Sequence, residues 1–335
     1  MFNPKRVVFE EAALDYEKGK ILLSKFKDKN LDIRYSKSGR VTGIPGKTPS
    51  DMYLEGKNTL VVGVRKSLKF QTCKPSAHYQ LPLVSGCMGM CEYCYLNTQM
   101  GKKPYIKIYA NTLEILNKAE EYAKERLPET TIFEGAATSD PIPVEPYSNS
   151  LKDTIEYFGK KDNMKFRFVT KFTNIDNLLN LNHNNKTTIR FSINTEKIIQ
   201  EFEHRTPQIM DRLNAAYKVA DAGYKVGFII APVFIYDNWK NEYTDLLLTI
   251  KNLFRNKEIK FEVISHRFTK RAKQNILDIF PSTLLPMEEE ERKFKYGQFG
   301  YGKYIYKDQD LNDMKDFFKN NIIKYFGEES INYII

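Results

Sequence analysis

The sequence predicts an α/β fold with parallel strands, and three observations carry that expectation. Short apolar runs recur at Leu81–Val84, Thr131–Phe133, Phe166–Val169, Thr188–Ser192, Lys225–Ile230 and Lys260–Ile264, with the length and composition of buried strands. Amphipathic stretches of helical period lie between them, among them Thr112–Arg126, Ser150–Phe158, Pro207–Asp221 and Asn241–Phe254. The repeated order of strand then helix implies right-handed crossovers between parallel strands, and the chain runs out of such units before eight. A partial (β/α)6 barrel of the TIM type follows, with its site expected at the carboxyl ends of the strands.

The flanks read differently. Residues 1–75 form an N-terminal appended region, with a helix expected near Glu10–Phe26, a turn-rich stretch SKSGRVTGIPGKTPSD, and a strand at Thr59–Ser67. The barrel is expected over residues 76–280. In the last part, 281–335, the aromatic, glycine-punctuated and basic run FKYGQFGYGKYIY (Phe294–Tyr306) reads as a hairpin, and Asp310–Phe326 as an amphipathic helix.

Composition narrows the class. The 335 residues are 41% hydrophobic and 28% charged, ordinary for a folded domain. No segment approaches the roughly 20 apolar residues of a membrane helix, and the first residues lack the apolar core and small-residue cleavage site of a secretory leader. A cytoplasmic location without membrane attachment is the expectation. The net charge of +10 suits a polyanionic partner. A lysine-rich proteome would produce the same excess, and charge alone does not separate the two.

Three of the four cysteines, Cys87, Cys91 and Cys94, fall within eight residues in SGCMGMCEYCYLNTQMG. A disulfide framework spreads its cysteines along the chain, so the cluster points to metal. Cys-x3-Cys-x2-Cys supplies thiolates for three irons of a [4Fe–4S] cube and leaves one iron open. Structural zinc wants four ligands, usually in two pairs; His78 is the nearest further ligand type and has no paired motif. The iron–sulfur reading is the stronger.

This spacing, with an aromatic (Tyr93) before the third cysteine, resembles the radical S-adenosylmethionine superfamily. Further stretches resemble the spore photoproduct lyase family: GCMGMCEYCYLNTQMGKKPYIKIYAN, FEGAATSDP (Phe133–Pro141), FVTKF (Phe168–Phe172), FEHRTP (Phe202–Pro207), GYKVGFIIAPV (Gly223–Val233), SHRFT (Ser265–Thr269) and FKYGQFGYGKY (Phe294–Tyr304). The resemblance implies a DNA-repair lyase of sporulating or germinating cells. Its 5′-deoxyadenosyl radical would revert 5-thyminyl-5,6-dihydrothymine, in damaged double-stranded DNA, to two thymines. It also implies S-adenosylmethionine and a [4Fe–4S] cluster as cofactors, and an electron donor such as flavodoxin or ferredoxin.

The resemblance also assigns roles. Ser139, Lys171, Ser192 and Ala231 would line the cofactor pocket, with Tyr93 beside the adenine. The two serines fall at strand ends or the following loops, where a turn residue is the plain alternative; for Lys171 it is a solvated surface charge. Glu203 is read as a partner of Arg205 or of a distant base, or as a structural cap ahead of the helix, and the cap is preferred. His266 and Arg267 end a strand, where substrate or cofactor contact is plausible. Lys295, Tyr296, Phe299, Tyr301, Lys303 and Tyr304 suit DNA, because cations hold phosphates while aromatic faces support unstacked bases; the alternative is an ordinary hairpin packed on the barrel.

One departure matters. Many members resembling FEGAATSDP carry a cysteine where this chain has Ala137, and that cysteine donates a hydrogen atom to the product radical. A methyl group cannot replace a weak S–H bond. The remaining cysteine, Cys73, is then the candidate donor, with Tyr93 or Tyr95 relaying the radical; a buried inert thiol is its alternative. The rival view is a chain whose donor has been replaced. Two further readings stay open: another radical enzyme acting on nucleic acid, and a non-catalytic iron–sulfur DNA-binding protein.

Overall fold

Arg6–Glu10 (RVVFE) and Thr59–Gly63 (TLVVG) are buried at every position, as strands covered on both faces must be. They pair in parallel, and Asp32–Ser36 and Ile106–Tyr109 continue the sheet in parallel on either side. Val84–Ser85 completes five strands by pairing antiparallel to Ile106–Tyr109. The structure, a computed structural model, describes residues 2–29, 31–37, 41–296 and 302–335. Its contacts group the chain into two units, Met1–Gly89 with Gln99–Thr188, and Met90–Thr98 with Ile189–Ile335.

The helix expected near Glu10–Phe26 is broken in two: a 3-10 turn Glu11–Asp15, an extended Tyr16, then the helix Glu17–Lys27. Gly19 permits the tight approach at this junction, since a Cβ there would lie 1.8 Å from the Ala13 carbonyl oxygen. A second helix, Pro49–Lys57, starts with a capping box made by Thr48 and Asp51. The turn-rich composition before it hid this helix from the sequence reading.

The first unit also holds Ala77–Gln80, Thr131–Glu134 and Met164–Thr170, paired in parallel, with Thr72–Cys73 antiparallel at one edge. The first expected strand, Leu81–Val84, is thereby corrected. Ala77–Gln80 pairs with Thr131–Glu134, while Val84–Ser85 belongs to the other sheet. Pro82 lies between them, and a proline has no N–H to give a ladder. The helices Thr112–Lys124 and Ser150–Gly159 turn Ile115, Leu116, Leu151, Ile155 and Phe158 inward. Phe158 packs on Phe133 and Phe166, with ring centroids 5.6 Å away in both cases.

In the second unit the sheet order is Thr187–Ile193, Lys225–Val233, Ile259–Ser265 and Ile331–Ile334. The last three pair in parallel, with a register slip between Ile230 and Val233. The helices Ile209–Asp221, Trp239–Leu253 and Asp308–Phe326 lie close to their expected places. Lys270–Ile279 and the strand Ile331–Ile334 were not foreseen. Ile276 is the sole buried residue of that helix, whose few apolar residues lie on one narrow face. The hairpin pairs Arg292–Tyr296 with Gly302–Tyr306. Among the described residues no helix is long and apolar enough to cross a membrane.

Candidate active site

Two short segments of the cysteine-bearing loop are held by different elements. In the first unit, Gly86 adopts φ +82°, and a Cβ there would lie 2.4 Å from the Tyr105 carbonyl oxygen, so only glycine fits before Cys87. Its N–H donates to the Thr138 carbonyl at 3.0 Å, and its carbonyl accepts from Asp140 N–H at 3.3 Å. The loop resembling FEGAATSDP is thus stitched to the residue preceding the first cysteine. Below it, Lys57 is 1% exposed and donates to the carbonyls of Cys87 at 2.8 Å and Gly89 at 2.9 Å, with its ammonium 5.1 Å from the Tyr53 ring centroid. Nothing in the sequence marks Lys57 apart from its many exposed counterparts.

Asp140 organises the next strand end. Its carboxylate accepts from Thr170 Oγ1 at 2.8 Å and from Lys171 N–H at 2.9 Å. Burial pushes its pKa up to about 6 despite those hydrogen bonds. Ser139, beside it, is buried with a hydroxyl that meets no protein partner. Together with Ala137, Gln71 and Gln80, Ser139 lines a cavity of 170 Å³. A polar, roomy cavity with an orphaned hydroxyl is a place for a polar ligand. Cys73 is half-buried on the edge strand, opposite Ala77.

In the second unit, Met90–Cys91 pairs antiparallel with Glu203–His204, setting Cys91 opposite Glu203. Glu92 N–H donates to the Phe202 carbonyl at 2.9 Å. Cys94 follows in a tight turn, its N–H 3.2 Å from the Cys91 carbonyl. Tyr93 donates its phenol to Glu203, and Glu203 binds Arg212 Nη2 at 2.6 Å with both side chains fully buried. Arg212 also donates to the carbonyls of Ser192 (3.0 Å) and Pro207 (2.9 Å) and to Thr206 Oγ1 (2.9 Å). Burial, then the negative charge of Glu203, holds the Tyr93 pKa far above that of a free phenol.

Glu203 thus pairs with a distant base, Arg212, and anchors Tyr93; it ends the helix Glu196–Phe202, while Gln208 stands ahead of the next one. A Glu–Arg pair nine residues apart across a turn has no sequence signature. His204 Nε2 lies 2.7 Å from Glu92, which also accepts from Thr283. Tyr95 is 57% exposed. Ser192 is buried on its strand, and Ala231 is half-buried at the register slip of Lys225–Val233.

His266 is buried against Phe234, with ring centroids 4.5 Å apart. Burial and the nearby Arg292 push its pKa down to about 3, so the ring is neutral. Arg267 is half-buried, and desolvation lowers its pKa. On the hairpin, Lys295 is exposed and directly opposite Lys303, a like-charge pair that an anion would relieve. Tyr296 is 78% exposed, whereas Tyr304 is buried, stacked on Phe268 at 5.3 Å. Phe299 and Tyr301 lie outside the described residues.

The chain was compared with known proteins. The family model "Spore photoproduct lyase" matches residues 2–335. A spore photoproduct lyase of Clostridium acetobutylicum is 58% identical over 331 residues, 99% of this chain and 98% of that protein. One from Bacillus subtilis is 44% identical over 336 residues, 99% of this chain and 98% of that protein. Among solved structures, spore photoproduct lyase complexed with dinucleoside spore photoproduct matches with a TM-score of 0.97 at 44% identity, over 100% of this chain and 99% of that one. A doubly substituted form with bound AdoMet and the same dinucleoside matches equally, at TM-score 0.97 and 44% identity, again over 100% and 99%. This likeness shows the fold class to be the expected α/β partial barrel. With a family model and relatives that span nearly its whole length, the chain belongs to the spore photoproduct lyase family of radical S-adenosylmethionine enzymes.

Proposed function

We propose that this chain is a DNA-repair lyase that reverts the spore photoproduct to two thymines. The observation that carries the reading is the match, over the full length of this chain, to a solved relative complexed with dinucleoside spore photoproduct. Cys87, Cys91 and Cys94 are not in disulfides, and their thiols are the donor chemistry of a [4Fe–4S] cluster. Ser139, Lys171, Ser192, Ala231 and Tyr93 are assigned to S-adenosylmethionine in this reading, and the orphaned Ser139 hydroxyl fits a polar ligand. When bound, cluster and S-adenosylmethionine supply a 5′-deoxyadenosyl radical that takes a hydrogen atom from C6 of the lesion.

The remaining work falls to the chain's own residues. Scission of the methylene bridge leaves an allyl-type radical on one thymine. Ala137 has no hydrogen to give it at low cost, and Cys73 is the donor we assign. Its S–H bond breaks homolytically, a C–H bond forms on the thymine, and a thiyl radical remains. A phenol, Tyr93 or Tyr95, then returns a hydrogen atom to the sulfur and becomes a phenoxyl radical. The Glu203 carboxylate, which accepts the phenol's hydrogen bond, fixes the position of the Tyr93 ring. Lys295, Lys303, Arg267 and His266, with Tyr296 and Tyr304, are assigned to the DNA. The cost of extruding the lesion from the duplex is a few kcal/mol and is lowest for a damaged step. The electron comes from a small donor of the flavodoxin or ferredoxin kind, and the setting is the cytoplasm of a spore or germinating cell.

Anaerobic reconstitution, reduction and incubation with S-adenosylmethionine and a synthetic spore-photoproduct dinucleotide tests the reading. Appearance of thymidylyl-thymidine is the expected result. S-adenosylmethionine cleavage without lesion reversal would point to another radical reaction on nucleic acid; an intact, reducible cluster with no cleavage at all would leave only a binding protein.

A further inference from the structure

The loop after the strand Thr59–Gly63 carries Arg65, Lys66 and Lys69 in seven residues, VRKSLKF. Arg65 is held in place by its backbone. Its N–H donates to Asn111 Oδ1 at 2.9 Å, and Asn111 Nδ2 donates back to the Arg65 carbonyl at 3.1 Å. Asn111 is itself buried, 2% exposed. The Arg65 guanidinium lies 6.0 Å from the Tyr109 ring centroid, and its Nε is buried without a hydrogen-bond partner.

Two cavities share Arg65 and Tyr109 as wall. One, of 170 Å³, runs from Arg65 and Lys69 to Ala137 and Ser139. The other, of 260 Å³, is lined by Arg65, Lys66, Ser67 and Lys107, with Glu10 as its only acid. Glu10 is already committed to Lys107 and to the Val64 N–H at 3.1 Å, so the cavities carry a surplus of positive charge. Each has room for several waters of about 30 Å³, and hence for a phosphate. Apart from the Ser139 hydroxyl, assigned above to the cofactor, the wall presents one buried donor atom with no protein partner, Arg65 Nε. Buried polar groups seldom stay unsatisfied, and a guanidinium forks naturally onto phosphate oxygens.

We propose that Arg65, flanked by Lys66 and Lys69, binds a backbone phosphodiester of the lesion-bearing DNA strand, at the mouth of the cavity that reaches Ala137 and Ser139. This rests on the lesion-repair reading and adds a second DNA contact, separate in sequence from the hairpin. Its role is to position the strand, since phosphate contacts fix register without reading sequence.

Binding of three probes to the reconstituted full chain tests it: the spore-photoproduct dinucleoside lacking a phosphodiester, the corresponding dinucleotide, and inorganic phosphate as competitor. The wild type is expected to prefer the dinucleotide by about tenfold or more, the scale of one charge-assisted hydrogen bond, with phosphate competing that preference away. Arg65→Ala should abolish the preference and leave dinucleoside affinity within about twofold. Lys66→Ala/Lys69→Ala, at two exposed positions, should lower the salt dependence of oligonucleotide binding by about one ion or more; this variant serves if Arg65→Ala fails to fold. A preference that survives Arg65→Ala, no preference in the wild type, or an unchanged salt slope would each overturn the site. Failure of the wild type to bind either lesion probe would instead overturn the repair reading, and this occupant with it.

Discussion

The ammonium of Lys57, at the end of the helix Pro49–Lys57, is buried and donates to the carbonyl of Cys87 at 2.8 Å. A second bond reaches the Gly89 carbonyl at 2.9 Å. One cation thus ties the N-terminal helix to the peptide carrying the first cysteine, and fixes two carbonyls that would otherwise be free to rotate. Lys57→Met keeps most of the volume and removes both bonds. We expect a stability loss of about 1–3 kcal/mol and a lower iron content per chain after reconstitution. Full iron loading with an unchanged melting temperature would refute this role.

Glu203 and Arg212 form a buried pair whose remaining polar atoms are largely satisfied. Removing one member strands the other charge, which costs about 3–5 kcal/mol. Arg212→Met should therefore destabilise by that amount in urea titration, while Glu203→Gln/Arg212→Met recovers part of the loss. If the double variant is no more stable than the single one, the charge is not what matters.

Stability should depend on pH through Glu145, which is fully buried and accepts from the N–H groups of Leu151 and Lys152, both at 2.9 Å. Burial raises its pKa from 4.5 to about 7, and Asp140 shifts in the same direction, to about 6. The folded state thus binds protons more tightly than the unfolded chain does. Stability from these groups is present below pH ~4 and is lost as pH rises through about 6 to 7. For Glu145 the change is at most on the order of 3 kcal/mol. Urea midpoints measured from pH 5 to 8 should fall with rising pH, and Glu145→Gln should flatten the slope. A midpoint that rises over this range contradicts the assignment.

Cys73→Ala separates cleavage from quenching. Lesion consumption should continue, while thymine yield drops in favour of adducts of the unquenched radical, read by chromatography of the products. An unchanged yield would remove Cys73 from the reaction. Ala137→Cys is the companion: a gain in yield over the parent would favour the view that a donor belongs at that position.

Much of this was legible because local chemistry carries it. Ordered motifs such as FEGAATSDP announce the family, and runs such as KVGFIIAPV reveal buried strands by composition alone. Pro82 shows the limit: an apolar run reads as a strand, but a missing N–H divides it between two sheets. The helix Lys270–Ile279 escaped for the opposite reason, since it buries a single residue.

By itself, then, the sequence determined the fold class and the family, because periodicity and ordered motifs are properties of the chain read locally. Tertiary structure decided which charges are buried and for whom. Lys57, Glu203, Arg212 and Arg65 look like any other charged residues in the string. Their roles arise from partners as far as 110 residues away, brought within hydrogen-bond reach only when the strands and helices pack and water is excluded.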